Sequence, residues 1–240
     1  VEWVSVNMGN VGYGGGLRIN TRCETTVKGL YAAGDATCAP ASGVEGYCAF
    51  AIPFATTSGA RSGLAAARYI KDTGDRSLDA DEIASSKEAL FRPLEAPDGV
   101  EPDIVVLNVQ ELLFPSDLYL IRHDTRLQNA LDRICRIRDD VVPFLKAYDP
   151  HYLRMAIEAS HMVTCAELFL RAALARKESR GSHLREDFPE VDNINWLKWI
   201  VLKQDNHQVI CTTEDIPIEN YPLEPKKEKI MHPVAKVMDM

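Results

Sequence analysis

The stretch VKGLYAAGDATCAPASG, residues 27–43, decides how this chain is to be read. Its first part, GLYAAG, predicts a short buried strand of small and apolar residues. Gly34 and Asp35 then turn the chain, and small residues carry a loop to Gly43. Small residues also dominate from Ala49 to Lys71, and GLAAARYIKDTG predicts the closing turns of a helix. That helix starts near Ala51 to Phe54, tolerates Pro53 in its first turn, and ends at Gly74, a residue suited to a left-handed cap. Upstream, GGGLRIN and residues 1–6 also read as short strands.

Downstream, the texture changes. Residues 73–103 form a loop-rich connection with one short helix in DRSLDADEIASSKEALF, and RPLEAPDGVEPD predicts a surface loop. In DTRLQNALDRICRIRDDVVPFL, apolar Leu127, Ala130, Leu131, Ile134, Ile137 and Val141 recur at the helical period, with charges between them. Pro143 ends or kinks that helix. Asp149 and Pro150 start the next, whose apolar face runs through Leu153, Ile157, Val163, Ala166, Leu168 and Leu170. The two helices are expected to form an antiparallel pair in a small bundle. NWLKWIVLKQDNHQVICTTEDIP predicts a hairpin turning at Asp205, Asn206 and His207. YPLEPKKEK then trails off, and its cluster Lys226, Lys227 and Lys229 reads as a solvated tail. The chain shows no internal repeat.

Bulk properties exclude several classes. The 240 residues carry a net charge of -8, with 46% hydrophobic and 26% charged residues. That suits a globular protein with a real core and not one that tracks a phosphate backbone. Six cysteines (Cys23, Cys38, Cys48, Cys135, Cys165 and Cys211) are scattered with no C-x-x-C pair, so no zinc or iron–sulfur site is expected from this chain alone. No apolar run approaches the length of a membrane span. A reducing, cytoplasmic setting is the default expectation. The sequence starts at Val1 without a methionine, which suits a fragment, a processed piece or a trimmed chain.

The turn at Gly34 and Asp35 has a chemistry of its own. Glycine lets a backbone approach a ligand without a clashing Cβ. An acidic side chain at a strand end accepts a hydrogen bond from a sugar-type hydroxyl. The N-terminus of the following helix presents N–H groups to an anionic or carbonyl-rich group. A flavin has both features. The plain alternative is that Asp35 only caps a turn, and these residues alone leave the two readings level.

Two motifs tip the balance. The run TTVKGLYAAGDATCAPASGVEGYCAFAIPFATTSGARSG resembles the C-terminal FAD-binding segment of the fumarate reductase and succinate dehydrogenase flavoprotein family. That family includes L-aspartate oxidase and the flavin subunit of adenylylsulfate reductase. Independently, LRAALARKESRGSHLREDFPEVDNINWLKWI resembles the family's C-terminal block ESRGAHxRxDxPxxDDxNWL. The resemblance spans nearly the whole chain. It implies that Asp35 stands where the family has a Glu on the ribityl chain, beside Gly34, and that Ala51 and Ile52 meet the flavin ring. It also implies that Glu178, Ser179, Arg180 and His183 dock the helical domain against the flavin domain.

The family's strand–GxGxxG–helix, which holds the pyrophosphate of FAD, has no counterpart here. The glycines Gly9, Gly12, Gly14, Gly15 and Gly16 lack a following helix and align with the family's strand before the flavin turn. The expected cofactor is therefore FAD, with half of its site supplied by a second flavoprotein chain or lost by truncation. An iron–sulfur subunit is the expected redox partner; nucleic acid and direct membrane insertion are not expected. Succinate and fumarate enzymes of the family place a His and an Arg where this sequence has Val11 and Gly46, with Glu45 alongside. The adenylylsulfate reductase branch is thus the nearer match. Candidate active-site groups are Glu45, Tyr47 and Cys48, with Tyr47 or Cys48 as acid, although packing explains each of these two more simply.

The expected fold class is α+β or α/β. A partial, Rossmann-like FAD-binding domain (1–75) and a connection (76–103) precede a helical domain (104–200) and a C-terminal hairpin and tail (201–240). The leading reading is a subunit of an FAD-dependent oxidoreductase. The rivals are a structural or assembly subunit that keeps the fold without the cofactor, and a plain C-terminal fragment.

Overall fold

A computed structural model of the chain describes residues 15–38, 51–74, 77–206, 208–222 and 224–239, with the backbone of Glu2–Ser5. The helices are α1 (Ala51–Thr73), α2 (Ala80–Phe91), α3 (Pro102–Leu113), α4 (Ser116–Tyr119), α5 (Asp124–Asp140), α6 (Pro150–Ala175) and α7 (Pro233–Val237). The strands are β1 (Glu2–Ser5), β2 (Gly16–Leu17), β3 (Ile121–Arg122), β4 (Leu184–Arg185), β5 (Glu190–Asp192), β6 (Lys198–Asp205), β7 (Gln208–Asp215) and β8 (Lys229–Met231). The fold is α+β.

Two compact units make up the chain. One gathers Val1–Gly74, Leu120–Asp124 and Arg171–Met240; the other gathers Asp75–Tyr119 and Thr125–Leu170. This grouping differs from the linear division at 75, 103 and 200. Residues 171–200 join the first unit because the buried polar side chains there bond to one another and to residue 122.

The first unit holds a four-stranded sheet in the order β2-β1-β6-β7, antiparallel throughout. The hairpin strands form as the sequence predicts, with His207 of the turn outside the described residues. Asp205 pairs with Gln208, and Asn206 takes the left-handed backbone (φ 45°) that a tight hairpin turn requires. Ile200, Val201 and Leu202 of β6 are the buried residues of that strand. The glycine run contributes β2, as expected of it, and no helix follows Gly16–Leu17. A Cβ at Gly16 would lie 2.5 Å from the carbonyl carbon and oxygen of Thr37. Glycine is therefore needed to let Leu17 bridge Thr37.

GLYAAG is not a continuous strand. It makes one antiparallel bridge, Glu24 with Tyr31, supported by Thr25 N–H to Leu30 O (3.0 Å) and Ala32 N–H to Cys23 O (3.1 Å). Two left-handed glycines, Gly29 (φ 85°) and Gly34 (φ 57°), bracket it too closely for longer pairing. The lysine-rich tail also differs from expectation. Lys229 begins β8, which pairs antiparallel with β5, and its Nζ lies 3.0 Å from Asp192. Burial raises the Asp192 carboxyl, but bonds from Asn195, Lys229 and the Ile194 backbone outweigh it and hold the group at about 2. Helix α7 follows, with the His232 side chain accepting from the Val234 N–H.

The second unit is helical. Asp79 caps α2 by accepting from the N–H groups of Asp81 and Glu82, and Asp149 accepts from Tyr152 N–H at the start of α6. α5 buries Leu127, Ala130, Leu131 and Ile134. It stops before Pro143, which sits in a 3-10 turn, Val142–Phe144. Within this unit α6 buries Leu153, Ala156, Ala159, Val163, Ala166, Phe169 and Leu170. Ile157 and Leu168, expected on that face, are only half-buried, and Ala156, Ala159 and Phe169 are buried instead. Arg138 donates from Nη1 to both oxygens of Glu167 at 2.6 Å. This contact ties the last turn of α5 to the second half of α6. In the connection between them, Leu145 bridges Val100 and Ala147 N–H donates to Pro93 O at 2.7 Å.

Candidate functional site

Gly34 opens a short 3-10 turn, Gly34–Ala36, and is buried. Its backbone groups are fully used. The N–H donates to Ser58 Oγ (2.9 Å), and the carbonyl accepts from Thr37 N–H (3.0 Å) and Thr37 Oγ1 (2.8 Å). A Cβ at Gly34 would sit 3.2 Å from the Cβ of Ala55, so the turn rests directly on α1. Asp35 follows with its side chain exposed to solvent. It is thus available to a ligand hydroxyl.

Helix α1 begins at Ala51, half-buried, with Ile52 75% exposed. Its first turn carries no acidic residue that would compete for the N-terminal N–H groups. Gly34, Asp35, Ala51 and Ile52 therefore lie at the turn and helix start where the sequence puts them, and the turn and helix are in contact through Ala55 and Ser58. What these residues offer a flavin is the open carboxylate of Asp35, one residue beyond a turn held against α1, together with a helix start that carries no acidic residue in its first turn. Glu45, Tyr47 and Cys48, with Val11 and Gly46, lie outside the described residues. Cys38, the last described residue before Glu45 in sequence, is a poor thiolate, because burial pushes its thiol up.

Ser58 is a part of this site that the sequence does not announce. It is the buried residue of α1, and it also donates to Phe54 O at 2.6 Å. A serine amid Ala, Thr and Gly gives no signal of such a contact.

The second motif builds a buried polar cluster. Glu178 accepts from Arg176 Nη1 (2.7 Å), Arg180 Nε (2.9 Å), Arg180 Nη2 (2.9 Å) and Asp192 N–H (2.9 Å). Ser179 Oγ donates to Phe188 O (2.8 Å) and accepts from Arg185 N–H (2.8 Å). Arg185, fully buried, forks onto Asp187 at 2.7 and 2.6 Å and donates to Ala173 O (2.9 Å) at the end of α6. A cation at that end meets the unpaired carbonyls and negative pole of the helix. Arg122 Nη1 lies 2.7 Å from His183 Nδ1. Burial first, then the charge of Arg122, pushes the His183 imidazole well below its ordinary value. All of these bonds stay within the first unit. Their work there is to join the end of α6 to β3, β4, β5 and β6. Among the described residues no group of three His, Cys, Asp or Glu side chains is placed to hold a metal ion, and no helix is long and apolar enough to cross a membrane.

A family model described as the fumarate reductase flavoprotein C-terminal region matches residues 111–230, half of the chain. The chain belongs to the fumarate reductase flavoprotein family. Family members among its relatives include an uncharacterised FAD-dependent oxidoreductase of Methanocaldococcus jannaschii, 33% identical over 79% of this chain and 34% of the relative. In the CoM/CoB fumarate reductase of Methanothermobacter marburgensis, one subunit is 29% identical over 79% of this chain and 34% of its own length. This flavoprotein chain thus spans about a third of the length of the curated relatives it matches. Among solved structures, the fold matches the Escherichia coli quinol fumarate reductase with a TM-score of 0.77 and 22% identity, over 89% of this chain and 37% of that one. The adenylylsulfate reductase of Archaeoglobus fulgidus matches with a TM-score of 0.68 and 26% identity, over 81% of this chain and 32% of that one. Identity and superposition rank the two branches in opposite order.

Proposed function

We propose that this chain forms half of the flavin site of an FAD-dependent oxidoreductase and that another polypeptide completes it. Gly34 seats the turn on α1, Asp35 accepts from the ribityl chain, and the N–H groups at Ala51 and Ile52 face the ring carbonyls. The flavin, when bound, supplies the electron chemistry; the protein binds, orients and tunes it. Glu45, Tyr47 and Cys48 are the proposed groups next to substrate, with Tyr47 or Cys48 as proton donor. The partner carries the pyrophosphate-binding glycine motif, and an iron–sulfur protein exchanges electrons with the site. The reading places the protein in a reducing compartment, in keeping with the free cysteines among the described residues.

The observation that carries this reading is the seat of Gly34 on α1, with the Asp35 carboxylate left open one residue on. A second feature supports the missing partner. α1 is 23 residues long and buries Ser58, while Cβ positions at Gly59 and Gly63 meet nothing within 4 Å. Such a face leaves room for a closely packed segment. The rival, a structural subunit without cofactor, draws on Val11, Glu45 and Gly46 standing where relatives have charged or hydrogen-bonding groups.

The test is the visible spectrum of the protein purified alone and with its natural partner. A stoichiometric oxidised-flavin band in the complex, and little on the chain alone, is the expected result. A complex without flavin would favour the structural rival. Stoichiometric flavin on the chain alone would remove the need for a partner.

A further inference from the structure

We propose that Ser58 is a positioning residue that sets the flavin turn against the N-terminus of α1. The proposal rests on the flavin reading above and names a residue that reading does not use. A serine inside a helix commonly returns its hydroxyl to the carbonyl four residues back, and Ser58 does so with Phe54 O at 2.6 Å. That bond consumes the only hydroxyl hydrogen. The oxygen lone pairs then remain for a donor, and Gly34 N–H supplies one at 2.9 Å. The hydroxyl is therefore a relay from the first turn of α1 to the turn that carries Asp35.

Further polar ties between α1 and the described residues before it are longer. Tyr31 Oη reaches Ala65 O at 3.5 Å, and Arg61 Nη1 reaches Thr21 O at 3.4 Å. Both lie further along the helix, away from Ala51. The two kinds of flavin contact stand on either side of the Ser58 bond. Asp35 follows Gly34 directly, and the N–H groups of Ala51 and Ile52, in the first turn of α1, lie two turns before Ser58. A flavin that uses both must find them at a fixed separation. Van der Waals contact of Gly34 with Ala55 sets how close the turn comes. The Ser58 bond sets its rotation, because it is directional.

Removing the hydroxyl leaves a buried N–H at Gly34 without its acceptor. The turn then rotates toward water or takes one in, and Asp35 and the helix N-terminus lose their common register. Two readings change. Flavin affinity falls, and the N–H groups at α1 stabilise the negative charge of the reduced ring less well, so the reduction potential moves negative.

The experiment uses the assembled flavoprotein, chain and partner together. Ser58→Ala is compared with Ser58→Thr and Ser58→Val, which share a shape and differ in the hydroxyl. Ser58→Ala and Ser58→Val are expected to weaken flavin binding about 2- to 12-fold, the range for one net hydrogen bond. Both are expected to shift the midpoint potential negative, while Ser58→Thr keeps wild-type values. Should the added methyl block assembly in the Thr and Val variants, Ser58→Ala against Ser58→Cys, which retains a weak acceptor, makes the same comparison. A melting temperature that falls in Ser58→Ala while affinity and potential stay at wild-type values would overturn the assignment and leave Ser58 as packing. So would a Thr variant as impaired as the Val variant. A wild-type complex with no flavin would overturn the flavin reading itself, and this assignment with it.

Discussion

The ring nitrogen Nδ1 of His183 accepts a hydrogen bond from Arg122 Nη1 at 2.7 Å, across 61 residues of sequence. An arginine can only donate, so Nδ1 carries no proton and the proton of the neutral ring sits on Nε2. From there it points at Arg176 O, 3.2 Å away. The charges around the ring are Arg122, Arg176 and Arg185, all cationic. A second proton would break the Arg122 bond and add a fourth positive charge.

A pH dependence of stability follows. The native imidazole titrates well below its ordinary value, while the unfolded chain takes up a proton near pH 6.5. Below that pH the unfolded state binds more protons, so stability falls as pH falls. Between pH 7.5 and 5.5 the loss from this one group is about 1.4 kcal/mol. Denaturant titrations at the two pH values check it. The His183→Gln variant is expected to lose that slope; a variant with the wild-type slope would assign it to another group.

Glu178 gathers four donors while fully buried. Glu178→Ala would leave Arg176 and Arg180 without their shared carboxylate. Breaking such a buried pair by removing one partner costs about 3–5 kcal/mol. Glu178→Gln keeps part of the bonding and is expected to cost less. Equilibrium unfolding measures both, and a loss in Glu178→Ala under about 1 kcal/mol would show that water replaces the carboxylate.

Asp35→Ala is expected to weaken flavin binding without lowering the melting temperature, because the side chain is exposed. A charge-assisted acceptor contributes about 1.5–3 kcal/mol, which is about 10- to 150-fold in affinity. Flavin titration of the variant complex checks it. Unchanged occupancy and affinity would reduce Asp35 to a turn residue.

Fumarate is expected to be a poor substrate of the assembled enzyme. Holding two carboxylates over a flavin, and stabilising the charge that develops, requires cationic or hydrogen-bonding groups. The sequence resemblance aligns Val11 and Gly46 (Glu45 lies alongside) with the residues that do this in the fumarate enzymes, and the loss of one preorganised donor lowers turnover about 10²–10³-fold in a well-studied hydrolase. Reduced complex mixed anaerobically with fumarate should reoxidise slowly. Fast, saturable reoxidation would mean that another side chain supplies the clamp.

Local chemistry makes much of this fold legible. Asp149, Pro143 and Gly74 mark helix ends by capping or by ring sterics, and Asn206 marks the hairpin. Asp35 and the start of α1 can be read for the same reason: a turn and a helix N-terminus are short-range features. What stays hidden is long-range. Arg122 and Arg185 look like surface cations, yet each is buried among partners brought in by β3 and β4, strands of two residues with no alternation to read. Lys229 looks like tail, because its partner Asp192 lies on a strand that forms only with it. Ser58 acts through the backbone of a glycine, and no side-chain pattern announces that.

Arg18 grips Glu214 through two bonds of 2.7 Å over 196 residues, and β1 lies beside β6 in the same sheet. During synthesis, the early strands must therefore wait for β6 and β7 to be made. The helical segment between them is complete long before that, and its contacts are closer in sequence. The turn at Gly34 and the start of α1 are translated well before β6, yet the sheet beside them closes among the last. Long-range closure of this kind slows folding, and it leaves unpaired strand edges open to aggregation while the chain is incomplete. The sheet next to the Gly34 turn is thus among the last parts of the first unit to mature, while the seat of that turn on α1 needs only residues made early.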